Sequence, residues 1–338
     1  MKKITVASYY SSGSSAVTDL LTEFKNVKSL TSFEFRFAHD PDGLSELEYN
    51  VVDNFNRHNS GHALKRYQRL VNYYSYHLLT HRYERFFNGK WKKLSDQYIN
   101  ELTDFSYPGT WQYDFYDKGK WYEFWHKLPN RILHYTIWRN KPDNSCFFNH
   151  ETTLATHPSE ERFLDCTRRY TEALMKAANP ENKTYLLLDQ LVPSTNIERH
   201  MRYFENLKVI VVDRDPRDIF IQAKYQWHDK IVPSDVEIFC KWYRYTRSTR
   251  NTEHWNEEKI MLIQFEDLIY HYDETLKKIM HWTGLKCTDH IHPKNCFNPD
   301  KSVKNTRCWI NHPEYAQEMA YIEKELPEFL YHTDNKQS

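Results

Sequence analysis

The fold is decided by the stretch Ile4-Thr5-Val6-Ala7-Ser8-Tyr9-Tyr10-Ser11-Ser12-Gly13-Ser14-Ser15-Ala16-Val17-Thr18-Asp19-Leu20-Leu21. Its first residues are rich in β-branched and aromatic side chains and predict a buried strand. Its last residues have apolar side chains at the spacing of an amphipathic helix. A strand that leads through a tight loop into a helix N-terminus gathers free backbone N–H groups at the positive end of the helix dipole. The stretch therefore predicts an anion site, with Ser14 or Ser15 as the helix cap.

Glycine is scarce in this chain, with 7 glycines among 338 residues, and Gly13 lies at the turn. A rare residue at that position favours a real backbone requirement. Turns of this kind also occur in α/β proteins without any ligand, so both interpretations stay open on this stretch alone. The loop is not a Walker A motif, because it has one glycine and no lysine.

Composition limits the function classes. Lys plus Arg and Asp plus Glu number 46 each, so no overall charge draws the protein to nucleic acid. The six cysteines are widely spaced and form neither a zinc pattern nor a dense disulfide scaffold. The sequence contains no signal-peptide pattern and no apolar run long enough to span a bilayer. We therefore expect a cytoplasmic protein without an integral membrane segment; the sequence does not predict the oligomeric state.

Short apolar runs alternate with helical patterns at both ends of the chain. This alternation predicts an α/β fold, in which a parallel sheet is flanked by helices. The segment from about 44 to 180 is mostly helical in pattern. We therefore expect one domain over 1–338 with a large helical insertion between the N-terminal and C-terminal parts of the sheet. Strands are predicted in the first part of the quoted stretch and at 29–39, 184–188, 208–212 and 259–264.

A second candidate anion site is the segment Arg214-Asp215-Pro216-Arg217-Asp218, which follows a predicted strand. Two arginines beside a proline-fixed turn can present guanidinium groups to a phosphate. The same arginines can instead pair with the neighbouring aspartates, as charged residues at strand ends often do. The segment alone does not decide between these alternatives.

Three motifs in this order resemble the PAPS-dependent sulfotransferases, in particular their carbohydrate-type members. They are the serine–glycine loop, Arg214-Asp215-Pro216-Arg217-Asp218, and Phe265-Glu266-Asp267-Leu268. The resemblance covers about 1–43 and 184–310, and it implies a P-loop-like fold, a sulfotransferase activity, PAPS as donor and PAP as product. It implies no metal. The insertion, whose aromatic residues include Trp111, Tyr113, Trp121 and Trp125, would form the acceptor side.

The resemblance also implies which residues bind the donor. The first loop, here with Ser11 where family members usually have Lys or Arg, would hold the 5′-phosphosulfate. Arg214 would hold the 3′-phosphate, and Gln222 takes the position of a serine that commonly assists it. A basic loop near the C-terminus would close over the same phosphate, with Trp309 or a nearby aromatic residue stacking on adenine. The implied donor-binding residues are Ser11, Ser12, Gly13, Ser14, Ser15, Arg214, Gln222, Lys301, Lys304 and Arg307.

For the chemistry, the resemblance implies a general base near the end of the second strand. Glu34 lies there between two phenylalanines and is the expected base; His39 is the other candidate. Arg36 could replace the cation missing at Ser11, and Asp189-Gln190, at a strand end, could meet the acceptor, orient a base or be structural. The expected function is sulfuryl transfer to a hydroxyl, with a carbohydrate as acceptor. The alternatives are a P-loop-related nucleotide-binding kinase and a non-catalytic binding protein.

Overall fold

The computed structural model describes residues 1–75, 82–139, 151–227 and 230–332. Within these residues the strands are β1 (Lys2–Ser8), β2 (Val27–Glu34), β3 (Phe105–Pro108), β4 (Thr152–Ala155), β5 (Tyr185–Asp189), β6 (Leu207–Asp213) and β7 (Ile260–Gln264). Five of them form one sheet in the order β2-β5-β1-β6-β7, and every neighbouring pair is parallel. The carboxyl ends of all five strands therefore meet at one edge, which is where parallel α/β sheets bind ligands.

Helices account for most of the remaining described chain. The α-helices are α1 (Ser14–Thr22), α2 (Leu44–Glu48), α3 (Ser60–Ser75), α4 (Trp91–Leu102), α5 (Gln112–Lys118), α6 (Lys120–Tyr135), α7 (Glu160–Ala178), α8 (Ile197–Met201), α9 (Pro216–Gln222), α10 (Val236–Thr246), α11 (Asp267–Tyr270), α12 (Tyr272–Thr283), α13 (Pro299–Ser302) and α14 (Ala316–Glu325). Two π-helical segments are Tyr49–Asp53 and Ala223–Trp227. Short 3₁₀ helices are Cys287–Asp289, Val303–Asn305, Cys308–Asn311, Pro313–Tyr315 and Pro327–Phe329. In the described part of the chain, no helix is both long and apolar enough to cross a membrane.

The chain forms two compact units. The first unit comprises residues 1–40 and 171–338, and the second comprises residues 41–170. The core of the first unit contains the apolar side chains of β1, β6 and β7 packed with those of α1 and α12. A smaller cluster joins α9, α10 and α14. The inner strands β5 and β6 are buried along nearly their whole length, which explains why they are apolar runs rather than alternating ones.

The predicted α/β fold, with its parallel sheet flanked by helices, is confirmed. Between β2 and β5 the described residues are mostly helical, as the sequence predicts, but they also contain the antiparallel pair β3 and β4. The second predicted strand, 29–39, differs: β2 begins at Val27 and ends at Glu34. Phe35 and Phe37 are buried beyond the strand end, so their alternation reflects burial in a turn that follows it. The expectation of a single domain stays a prediction.

Candidate active site

A cavity of about 860 Å³ lies at the carboxyl ends of the strands of the first unit. Its size is within the range of about 300–1,000 Å³ that is common for ligand sites. It brings together most of the residues that the sequence analysis singled out, although they come from segments far apart in the chain. The predicted residues on its wall are Ser11, Gly13, Ser14, Ser15, Glu34, Arg36, His39, Arg214 and Gln222.

The first loop, residues 9–13, connects β1 to α1 through an unusual backbone. Tyr10 and Ser11 have φ angles of 68° and 56°, and Gly13 has a φ of 87°. Left-handed conformations cost non-glycine residues roughly 1–2 kcal/mol each, and such strain concentrates at functional sites. Gly13 is also the N-cap of α1, and no side chain caps this helix. The prediction of a cap by Ser14 or Ser15 is therefore wrong; both are helical, and the first N–H groups of α1 have no partner within the helix.

Ser12 is the one member of the predicted phosphate loop that does not line the cavity. It is fully buried, and its hydroxyl donates a hydrogen bond of 2.7 Å to the carbonyl of Val212 in β6. The same hydroxyl accepts a bond of 3.3 Å from the Tyr9 N–H. Through these two hydrogen bonds, Ser12 fastens the first loop to β6. Its hydroxyl therefore has a structural role within the protein.

Arg214 follows β6 and is the buried cation of the cavity, with 3% of its surface exposed. Its Nη1 donates to Gln222 Oε1 at 2.8 Å and to the Ser11 carbonyl at 3.3 Å. Its Nη2 donates to the carbonyl of Asn305, and its Nε has no hydrogen-bond partner among the described residues. A buried donor without a partner is costly. The arrangement leaves one donor of a buried guanidinium group for a ligand.

Arg217 behaves differently from Arg214. Its Nε and Nη2 donate to the two oxygens of Asp215 at 3.0 and 2.7 Å, and its Nη1 to Glu323 at 2.8 Å. Its guanidinium carbon also lies 4.0 Å from the ring centroid of Trp309. Of the two interpretations of this segment, ion pairing therefore describes Arg217. Arg214 is instead held by neutral oxygens and lines the cavity.

Two carboxyl groups, those of Asp213 and Glu266, fix the position of the Arg214 segment. Asp213 pairs with Arg247 and Arg250, each at 2.6 Å. Burial alone would raise the pKa of Asp213, but these arginines hold it below its usual value. Glu266 accepts the Asp215 N–H at 2.9 Å, and burial raises the pKa of Glu266 to about 8. The Phe265-Glu266-Asp267-Leu268 motif thus supports the turn that presents Arg214.

The predicted basic loop, residues 301–307, lies beside this turn. Asp218 accepts hydrogen bonds from the N–H groups of Arg307 at 3.0 Å and Cys308 at 2.7 Å, which fastens the loop to α9. Asn305 reaches the cavity wall and its carbonyl binds Arg214. Lys301, Lys304 and Arg307 are exposed and do not line the cavity. Their assignment to the donor phosphate stays a prediction.

The ends of β2 and β5 form the carboxyl-rich side of the cavity. Glu34 lies opposite Asp189 in the parallel register, and both line the cavity. Arg36 contacts Glu34 at 3.3 Å and Asp40 at 3.4 Å. His39 is also on the wall; burial, His200 and Arg36 lower its pKa to about 3. His39 is therefore neutral at physiological pH and a weak base.

Sequence reasoning assigned no site role to Phe265 beyond its motif, nor any to Asn305, and both line the cavity. The Arg214 guanidinium carbon lies 4.7 Å from the centroid of the Phe265 ring. The Phe265 position could have been found from the motif that contains it. Asn305 acts through its backbone carbonyl, which no side-chain pattern reveals.

The second unit contains the aromatic residues that the sequence analysis associated with the acceptor. Trp121 and Trp125 on α6 are 77% and 65% exposed, and Tyr113 on α5 is 43% exposed. Trp111 is half-buried and stacks with the guanidinium group of Arg57 at 4.7 Å. The structure therefore provides exposed aromatic surfaces on this unit. Separately, the described residues contain no group of three or more His, Cys, Asp or Glu side chains that could hold a metal ion.

One solved structure is similar to this chain, and one family model matches it. The crystal structure of sulfotransferase STF1 from Mycobacterium tuberculosis H37Rv is similar to 91% of this chain and covers 76% of its own, with 10% identity and a TM-score of 0.35. No curated protein matches the chain significantly. A family model described as the sulfotransferase family matches residues 118–289, just over half of the 338 residues. The chain belongs to the sulfotransferase family.

Proposed function

We propose that the protein transfers a sulfuryl group from PAPS to a hydroxyl group, with a carbohydrate as the class of acceptor. The observation that carries this proposal is the pairing, in one cavity, of the α1 N-terminus with the buried Arg214. Two separate groups of donors can hold two separate phosphates, which distinguishes a 3′,5′-bisphosphate from a simple nucleotide. PAPS is a substrate that supplies the sulfuryl group and leaves as PAP.

The residues present suit a doubly phosphorylated ligand. The unpartnered Nε of Arg214 can donate to the 3′-phosphate, and Gln222 holds the guanidinium group in place. The absence of a Cβ at Gly13 lets the first loop approach Phe265 closely. The N–H groups at the start of α1, together with the hydroxyls of Ser14 and Ser15, can bind the 5′-phosphosulfate.

Transfer requires positive charge near the bridging oxygen of the leaving group. Ser11 cannot supply it, and its hydroxyl donates to Gln222 at 3.2 Å. Arg36 is a cation on the same cavity wall and is 44% exposed. We assign the charge that family members take from the first loop to Arg36, which Glu34 and Asp40 hold in place.

Transfer also requires a base for the acceptor hydroxyl. Because the pKa of His39 is lowered to about 3, we assign the role of base to a carboxyl group at the ends of β2 and β5. Glu34 is the base that the resemblance to the sulfotransferases implies, and Asp189 lies opposite it. The choice of a carbohydrate as the class of acceptor rests on exposed aromatic side chains such as Trp121 and Trp125, which are of the kind that stack on the apolar faces of sugars.

The test is a transfer assay with the full chain and PAPS against a panel of neutral, amino and acidic saccharides, read as PAP release and as sulfated product. We expect acceptor-dependent PAP release with at least one saccharide and no requirement for added magnesium. Absence of PAP release with every acceptor, combined with magnesium-dependent consumption of ATP, would contradict the proposal and favour a kinase.

A further inference from the structure

Asp189 and Glu34 share one end of the cavity. They are matched residues of the parallel strands β5 and β2, and neighbouring strands lie about 4.8 Å apart. Both side chains line the cavity. They differ in exposure, since the Glu34 side chain is 54% exposed while Asp189 is half-buried.

Asp189 has an unsatisfied acceptor. Its Oδ1 is buried and has no hydrogen-bond partner among the described residues. The adjacent Gln190 has a left-handed φ of 55°, and its side-chain amide donates to Ser8 at 2.9 Å. A buried carboxyl oxygen without a donor is rare in folded proteins, and on a cavity wall it can accept a hydrogen bond from a ligand.

We propose that Asp189, rather than Glu34, takes the proton of the acceptor hydroxyl during sulfuryl transfer. This inference rests on the proposed function and deepens it. In the step, the acceptor oxygen forms a bond to the sulfur of PAPS, and the bond between that sulfur and the bridging phosphate oxygen breaks. The electron pair of the broken bond leaves with PAP, and the hydroxyl proton moves to the Asp189 carboxylate.

The surroundings of Asp189 tune it for this task. Burial and the negative charge of Glu34 raise the pKa of Asp189 to about 7, and Asp19 on α1 adds to the rise. Hydrogen bonds from Gln190 oppose it. A base works best when its pKa is near the working pH, because it is then both ionised and basic. The charge of Glu34 thus raises the pKa of Asp189. Arg36 forms ion pairs with Glu34 and Asp40.

The experiment measures kcat/KM against pH from 5 to 9, with PAPS and an acceptor from the panel, for the wild type and three variants. We expect the wild-type rate to rise with pH through an apparent pKa near 7. Asp189→Asn should lose roughly 100-fold or more, the usual contribution of a general base, with little change in PAP affinity. Asp189→Glu, which keeps a carboxyl group, should recover part of the rate.

The Glu34→Gln variant distinguishes the role of Glu34 from that of Asp189. We expect it to lower the rate less than tenfold and to move the rise in rate to lower pH, because the pKa of Asp189 falls when the neighbouring charge is removed. If Glu34→Gln abolishes turnover while Asp189→Asn keeps it, Glu34 is the base and the assignment is overturned. Loss of PAP binding in Asp189→Asn would also overturn it, in favour of a structural role. If the wild type transfers a sulfuryl group to no acceptor, the proposed function is contradicted, and the assignment of Asp189 as the base falls with it.

Discussion

The ring of Phe265 lies directly against Gly13: a Cβ atom at position 13 would stand 2.5 Å from the Phe265 Cδ2 atom. The contact couples the first loop to the segment after β7, and the same ring faces the Arg214 guanidinium group. Gly13 of the first loop and the Arg214 guanidinium group, which belong to the two halves of the proposed donor site, therefore both pack against the Phe265 ring. Any residue larger than glycine at position 13 must displace that ring.

The first prediction concerns Gly13→Ala. Its φ of 87° strains an alanine, and the collision with Phe265 adds an overpacking cost, so we expect a loss of about 2–4 kcal/mol in the free energy of unfolding. Gly89→Ala is the matched control, since Gly89 has a φ of 68° but no atom within 4 Å of a built Cβ. It should cost about 1–2 kcal/mol, from strain alone. Urea unfolding measures both, and equal costs would contradict the role given to Phe265.

A second prediction follows from Glu266. Its folded pKa of about 8 lies above its ordinary value of 4.5. Between these values the unfolded chain has released this proton and the folded chain has not, so its contribution to stability is complete below pH 4.5 and lost as pH rises through 8. Glu266→Gln keeps the acceptor for the Asp215 N–H and carries no charge. We expect it to be more stable than the wild type at pH 9, by about 2–4 kcal/mol, and this gain to shrink towards pH 5.

Urea unfolding of both proteins at pH 5 and pH 9 tests the titration of Glu266. Glu274→Gln is a suitable control, because Glu274 is exposed on α12 and lies outside the Arg214 turn. A stability difference between Glu266→Gln and the wild type that is the same at both pH values would show that Glu266 does not titrate in this range.

The third prediction concerns the cation beside the leaving group. If Arg36 supplies that charge, Arg36→Gln should lower kcat by about 10- to 100-fold. This loss is similar to, or somewhat smaller than, the loss usually caused by removing one hydrogen-bond donor that stabilises a transition state. Ser11→Lys alone should change kcat less than threefold, since the charge is already present. The double variant Ser11→Lys/Arg36→Gln should recover at least tenfold over Arg36→Gln. A large gain from Ser11→Lys in the wild-type background would instead mean that the native site lacks this cation.

The strands and the Arg214 turn could be predicted from sequence because their signals are local. Buried parallel strands are continuous apolar runs, and a proline-fixed turn after a strand is visible as a motif. The contacts that separate the two arginines come from distant parts of the chain. Arg217 pairs with Glu323 as well as with the nearby Asp215, while Arg214 is held by Ser11, Gln222 and Asn305. Only the fold determines which arginine faces the cavity.

Other features could not be predicted because they depend on tertiary contacts. The pair β3 and β4 consists of four-residue strands that lie 43 residues apart, and β3 is exposed along its whole length, so periodicity gives no signal. Gly13 rather than a serine caps α1, because the chain enters the helix in a left-handed conformation. The pairing of Asp189 with Glu34 and the unpartnered Oδ1 of Asp189 are likewise properties of the folded chain that sequence patterns do not specify.

The most direct test of the central claim is the affinity for PAP compared with AMP, which lacks the 3′-phosphate. Isothermal titration calorimetry should be run on the wild type, Arg214→Ala and Arg217→Ala. We expect the wild type to bind PAP about 10- to 100-fold more tightly than AMP, since a charge-assisted hydrogen bond contributes about 1.5–3 kcal/mol. This preference should vanish in Arg214→Ala and persist in Arg217→Ala, whose arginine is paired with Asp215 away from the cavity. Equal affinities of the wild type for PAP and AMP would contradict the account.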